Sequence, residues 1–128
     1  MSFPNRDPDD VTGWHAHIYY DPATTKDDAA RLRANIEARF GGRVLVGRWH
    51  DEHVGPHLAS MYQVAFRAPV FAEFVTWMTV NREGLDVLVH PLTDNAYNDH
   101  VIFGFWMGGK QPLDEARLRQ FAVRAERG

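Results

Sequence analysis

The chain reads as an α+β domain of the ferredoxin-like type, a βαββαβ antiparallel sheet unit with an extra C-terminal strand and helix. Three observations predict it. Apolar segments with strand-like alternation and two stretches of helical spacing follow one another in the order β-α-β-β-α-β. Turn formers punctuate them, at Asp21-Pro22, Gly41-Gly42, Gly55-Pro56, Gly84 and Pro91. The length, 128 residues, suits one domain that can bury a core without staples.

Residues 1–12 carry Pro, Asp and Asn and are expected to form a flexible N-terminal arm; residues 13–128 are expected to be a single domain. Residues 14–20, WHAHIYY, alternate and are rich in aromatics, so they read as a first strand. Thr25 is a suitable helix N-cap, with Asp27 and Asp28 in the first turn. Ala29, Leu32, Ile36 and Phe40 follow helical spacing until Gly41 and Gly42 end it. Residues 43–49 read as a second strand, HDEHVGP as a polar turn, and residues 57–66 as a third strand. Pro69 suits the first position of a second helix, whose apolar stripe is Phe71, Phe74, Val75 and Met78. Residues 85–90 read as a fourth strand ended by Pro91, and residues 101–106 as a fifth. A charged helix from Leu113 to about Glu126 closes the chain.

Composition narrows the function classes. Hydrophobic residues make up 45% and charged residues 24%, as in ordinary globular proteins. The formal charge of -3 and the lack of a basic stripe argue against nucleic acid as a partner. With no cysteine there is neither a disulfide framework nor a thiolate metal site. No apolar run approaches the ~20 residues of a membrane span. The N-terminus lacks the basic-then-apolar order of a signal peptide, so a cytoplasmic location is expected.

The histidines carry the functional signal. Side chains alternate along a strand, so parity assigns faces. Ala16, Ile18 and Tyr20 form the apolar face of the first strand, and His15, His17 and Tyr19 the other. Strand parity likewise puts His57 and His90 on the less apolar face of the third and fourth strands. Ferredoxin-like topology sets the first strand between those two, with neighbours about 4.8 Å apart. His15, His17, His57 and His90 should therefore point the same way, although register along the sheet is not readable. One such histidine alone is an ordinary hydrogen-bonded residue. The coincident set His17, His57 and His90 points to a shared metal or acid–base site. His50 and His53 lie in the polar turn and read as solvated. Asp99 could orient His100, or the pair could be only a turn. Arg82 could cap the second helix or clamp a substrate carboxylate. Tyr19, Trp49 and Trp106 could line an aromatic pocket or simply pack. The sheet face away from the helices needs a second layer, from the C-terminal segment or from a partner subunit.

Taken together, WHAHIYYD, HVGPHLASMYQVAF, NREGLDVLVHPLT and DHVIFGFWMGG resemble the motifs of the DOPA 4,5-dioxygenase family. The likeness runs from about Trp14 to Gly109. It departs from the family pattern at Leu58, where Pro is usual after the histidine. The resemblance implies a ferredoxin-like fold, non-haem Fe(II), and ring-opening extradiol cleavage of a catechol such as L-DOPA by O2. Imidazole and carboxylate ligands with vacant positions suit such iron, and a histidine can move the protons the reaction requires. On this reading His17, His57 and His90 hold the metal, and His15 or His100 serves as the acid–base residue. Arg82, Tyr19 and Trp106 contact the substrate. No carboxylate ligand is evident on the same face; Asp99 and Glu52 are the available ones. Another divalent metal, such as zinc, is an alternative occupant. Two competing readings use the same histidines, as a non-catalytic metal- or ligand-binding module or as interfacial residues of a dimer. A homodimer is expected because the open sheet face needs cover.

Overall fold

The structure, a computed structural model, describes residues 5–120. Strand β1 spans Gly13–Tyr19, β2 Val44–Val46, β3 Met61–Arg67, β4 Val87–Pro91 and β5 Phe105–Met107; helix α1 spans Lys26–Phe40 and α2 Phe71–Asn81. The strand order is β2-β3-β1-β4-β5, and each neighbouring pair is antiparallel. This is the expected α+β ferredoxin-like arrangement, with β1 between β3 and β4 and the extra strand on the β4 edge. No described helix is long and apolar enough to cross a membrane.

The main core lies between the sheet and the two helices. Ala16 and Ile18 of β1, Val64 of β3, and Val87 and Val89 of β4 meet Leu32 and Ile36 of α1 and Phe74 and Met78 of α2. Full burial of a side chain of this size stabilises the fold by about 1.5–3 kcal/mol, so strand parity and helix spacing are both enforced by the same core. Asp27 and Asp28 occupy the first turn of α1. Thr25 stands at its N-cap without a capping bond. Its hydroxyl accepts the Asp21 N–H at 2.7 Å instead, closing the turn after β1. Pro69 falls in a 3-10 turn, Ala68–Val70, that leads into α2. The described part of the arm contains another 3-10 turn, Pro8–Asp10, capped by the Asp7 carboxylate.

The second to fifth strands differ from the sequence expectation at their ends, and in the third and fifth the difference bears on a histidine. The third strand starts at Met61, not His57. Residues 51–60 form a loop at the end of the β2–β3 hairpin, closed by the Ser60 hydroxyl on the Asp51 carbonyl at 2.6 Å. Gly55, at φ 60°, and a turn bond from His57 N–H to the Val54 carbonyl fold this loop back on itself. The fourth strand starts at Val87, because Leu85 N–H is taken by the Arg82 carbonyl in the turn after α2. The fifth is Phe105–Met107, while Asn98–Ile102 forms a π-helical turn. The second strand is likewise trimmed to Val44–Val46, since Arg43 belongs to the 3-10 turn Gly41–Arg43. The charged C-terminal helix begins after Leu113 and covers residues 115–120; its expected continuation to Glu126 lies outside the described residues.

The chain itself supplies a second layer over the β1 and β4 end of the sheet. Residues 108–114 cross the face opposite the helices as a strap. Asp86 anchors one end, accepting the Gly109 N–H at 2.6 Å and the Gln111 amide at 2.8 Å. At the other end Leu113 bridges to His57, and Asp114 N–H reaches the Pro56 carbonyl at 2.7 Å. Beneath it a small core of Tyr19, Met61 and Leu88 packs against Ala59, Trp106 and Leu113.

Candidate metal centre

Five imidazoles converge under this layer, delivered by four different pieces of chain. β1 contributes His15 and His17, two residues apart and therefore on one face. β4 contributes His90, which stands opposite His15 in the ladder. The hairpin loop contributes His57 from its bridge to the strap. The π-helical turn contributes His100. That turn is built by Asn95 accepting the Asn98 N–H at 2.9 Å, by Phe103 N–H reaching the Asn98 carbonyl at 2.8 Å, and by Asp99. Gly104 closes it, since a Cβ there would lie 2.5 Å from the His100 carbonyl oxygen. His17, His57 and His90 are buried, while His15 and His100 are half-buried.

The rings are in contact. His90 and His100 have centroids 3.9 Å apart, and His17 and His57 4.1 Å. Donor atoms of His15, His17 and His90 all lie within 4.8 Å of one another, and so do those of His17, His57 and His100. His17 belongs to both groups and is the centre of the cluster.

Hydrogen bonds outside the cluster fix the tautomers. A carbonyl can only accept, so His90 Nδ1 donates to the Pro91 carbonyl at 2.9 Å, and His100 Nδ1 donates to the Ala96 carbonyl at 2.7 Å. Both rings therefore present an Nε2 lone pair. His57 Nδ1 lies 2.7 Å from the Tyr19 hydroxyl, a group that can accept or donate. His17 Nε2 lies 2.9 Å from His90 Nε2, so His17 donates there. Its own buried Nδ1 then has no partner. A buried acceptor left unmatched costs about 1–3 kcal/mol.

Electrostatics point the same way. Burial first, and then the neighbouring imidazoles, push His57 down to about 3. His90 is also held at about 3 by burial and by His100, against the opposing bond to Pro91. Burial holds His17 well below the ordinary histidine value, with His57 and His90 adding to it. His15 and His100 are lowered by burial as well. At neutral pH the cluster is a set of uncharged nitrogen donors, the charge state a metal needs in its ligands. No carboxylate joins it among the described residues. Asp99 is spent on Thr93, accepting its N–H and, at 2.5 Å, its hydroxyl; Glu52 is exposed. A divalent cation fits this site. It would take the place of the proton between His17 Nε2 and His90 Nε2, that proton moving to the unpartnered His17 Nδ1.

The remaining expected site residues are divided. Tyr19 and Trp106 stack at 5.6 Å beside the cluster. Trp106 also walls a cavity of about 170 Å³ that opens at His100, with Lys110, Gln111, Leu113 and Glu115 around it. Arg82 is placed elsewhere. Its guanidinium donates to the Leu85 carbonyl at 3.0 Å and to the Thr79 carbonyl at 3.4 Å, closing the end of α2. His50 bridges to Met61 on the hairpin, and His53 is exposed. The sequence reading passed over Lys110 and Gln111, because no pattern marks a cavity wall formed by an irregular strap.

The fold and this site define a ferredoxin-like protein with a buried cluster of imidazoles, able to hold a metal, at one end of its sheet. Residues 14–117 match the Dopa 4,5-dioxygenase family, and the chain belongs to that family. It is 31% identical over 115 residues to a DOPA 4,5-dioxygenase of Amanita muscaria, an alignment covering 85% of this chain and 50% of that protein. An uncharacterised 21.2 kDa protein of Botryotinia fuckeliana is 36% identical over 114 residues, covering 81% of this chain and 62% of that one. The chain thus spans between half and two thirds of the length of these relatives. A crystal structure from Nostoc punctiforme PCC 73102, described as a candidate dioxygenase, is 46% identical. It superposes with a TM-score of 0.85 over 91% of this chain and 98% of that one. These likenesses support an enzyme of the dioxygenase type.

Proposed function

We propose that the chain is a ring-cleaving dioxygenase of the extradiol type, acting on a small catechol such as L-DOPA with O2 and a ferrous ion. The observation that carries this reading is the buried imidazole cluster opening at His100 onto a cavity of ring-and-side-chain size. In the overall reaction both atoms of O2 enter the product as one ring C–C bond breaks, so no external reductant is consumed. His17, His57 and His90, the three most buried imidazoles, are the proposed ligands; His17 belongs to both sets of converging donor atoms, and His57 and His90 to one each. An all-imidazole set suits iron, zinc, copper and nickel alike, so the choice of iron rests on the family. A ferrous ion bound there supplies the electron exchange through which ground-state O2 reacts with an electron-rich catechol.

The chain's own residues do the rest. His100 faces the cavity with its Nδ1 proton committed to Ala96, so its Nε2 is free to take a proton from a catechol hydroxyl. Its lowered pKa keeps it neutral, and therefore basic, at pH 7. Trp106 offers an apolar wall to the ring. His15, at the opposite side of the cluster, stands against His90 with ring centroids 5.3 Å apart and is the alternative acid–base residue. A homodimer also belongs to this proposal. Leu45, 76% exposed on the face opposite the helices, is where a second copy would pack. A monomeric wild-type protein in sedimentation would remove the dimer.

The test is anaerobic loading with Fe(II), then catechol and air, followed by an oxygen electrode and by absorbance of the ring-opened product. Iron-dependent O2 uptake in the wild type is expected, with loss of at least about 100-fold in His17→Ala and in His57→Ala. Tight metal binding without O2 uptake would leave a non-catalytic binding module as the better reading.

A further inference from the structure

Two clefts flank the strap, and their charges differ. The larger, about 450 Å³, is lined by Tyr19, Asp21, Asp86 and Gln111 and has no Lys or Arg among the described residues of its wall. No cluster histidine lines it either. The smaller contains the His100 ring itself, together with Trp106, Lys110 and Glu115. Its volume, about 170 Å³, lies below the roughly 300–1,000 Å³ of pockets for drug-sized ligands and suits one ring with a short side chain.

The polar groups of the smaller cavity are not equally available. Glu115 is already matched, lying 3.8 Å from the Arg119 guanidinium and 3.5 Å from the Tyr97 hydroxyl. Lys110 makes no hydrogen bond or ion pair among the described residues. It is the one Lys or Arg among the described residues in the wall of either cleft. The other cation proposed for a carboxylate, Arg82, is committed to two backbone carbonyls at the end of α2 and lines neither cleft.

We propose that the cavity at His100 holds the substrate's side chain and that Lys110 is its specificity-determining residue, selecting catechols that carry a carboxylate. This rests on the ring-cleavage reading for the site's chemistry but not for its charge preference. With the ring between Trp106 and His100, a side chain directed to the mouth of the cavity meets the Lys110 ammonium. That group is a compact point charge with three donors on a flexible stem, so it can follow side chains of different length.

The experiment compares two catechols that share a ring and differ in charge: 3-(3,4-dihydroxyphenyl)propionate and dopamine. Their binding to the Fe(II)-loaded protein is measured without oxygen, from tryptophan fluorescence or by calorimetry. The wild type should favour the propionate. Lys110→Gln should weaken the propionate about fivefold, the scale of one exposed ion pair, and leave dopamine bound no more weakly than before. Lys110→Glu should reverse the preference, and Arg82→Gln should not alter it. A wild type that prefers dopamine, a Lys110→Gln variant that shifts both ligands equally or neither, or no binding of either catechol overturns the inference. Oxygen uptake measured in parallel separates the two claims. A Lys110-dependent preference without uptake sinks ring cleavage and spares Lys110; uptake that ignores Lys110 does the reverse.

Discussion

Tyr19 shows how one residue couples the small core to the chemistry. Its ring packs with Trp106 and Met61 under the strap, and its hydroxyl ends on His57 Nδ1. A metal can use His57 Nε2 only if that nitrogen carries no proton, so in the loaded protein the proton must sit on Nδ1 and the phenol must accept it. His90 and His100 obtain the same tautomer from backbone carbonyls, which no side-chain substitution removes. Only His57 depends on a side chain for it. Tyr19→Phe should therefore keep the ring packing and weaken metal binding by about 10–100-fold. The ¹⁵N shifts of His57 in the metal-free variant should change, while those of His90 stay put. Unchanged metal affinity together with unchanged His57 shifts would reduce Tyr19 to a packing residue. Its parity with His17 placed Tyr19 on the correct face from sequence alone. The hydroxyl's target was not legible, because His57 reaches it from a loop whose path depends on long-range contacts rather than on local pattern.

At the scale of elements, what was legible followed periodicity. The two helices, the strand order and the apolar face of β1 were readable because each must bury a stripe of definite spacing, as Ala29, Leu32, Ile36 and Phe40 do. The strand ends were not. His57 was expected to open the third strand and His100 to precede the fifth, yet they sit in a turn and a π-helical turn made by side-chain bonds and by Gly104, which leave no period in the sequence. The strap depends on similarly local chemistry. Gly108 lies at φ +78°, and a Cβ there would stand 2.6 Å from the Asp86 carboxylate that holds Gly109 and Gln111. Gly108→Ala combines a left-handed backbone with that clash. It should cost about 1–3 kcal/mol and loosen the cover over His57 and the wall formed by Trp106. Thermal melts with hydrogen exchange at Asp114 N–H, which bonds the Pro56 carbonyl, check this: faster exchange there and a lower Tm are expected. A variant as stable and as protected as the wild type would mean that the strap is not held through Asp86.

For the whole molecule, the cluster makes folding depend on pH. His17, His57 and His90 are neutral and buried in the native state, with pKa values far below the ordinary 6.5, chiefly through burial. Unfolding returns them to water, where they bind protons as pH falls through about 6.5. The unfolded state then holds more protons than the native one, so stability must rise with pH across this window and fall as the solution is acidified. From pH 7.5 to 5.5, above the usual carboxylate range, the loss is about 1.4 kcal/mol for each imidazole that stays neutral in the fold. For these three that is ~4 kcal/mol, a large part of the roughly 5–15 kcal/mol available to a domain. The urea midpoint of the metal-free protein should drop by more than about 1 M over that interval. Bound metal adds stability at pH 7.5, where the ligands are free of protons in both states. Its advantage should shrink on acidification as protons compete for the same nitrogens, first in the unfolded chain and then in the site. His17→Leu removes one buried titrating group and the unpartnered nitrogen together. It should reduce the metal-free pH dependence by about a third while abolishing the metal's effect, so that a midpoint still falling as steeply in this variant would remove His17 from the proton-linked groups.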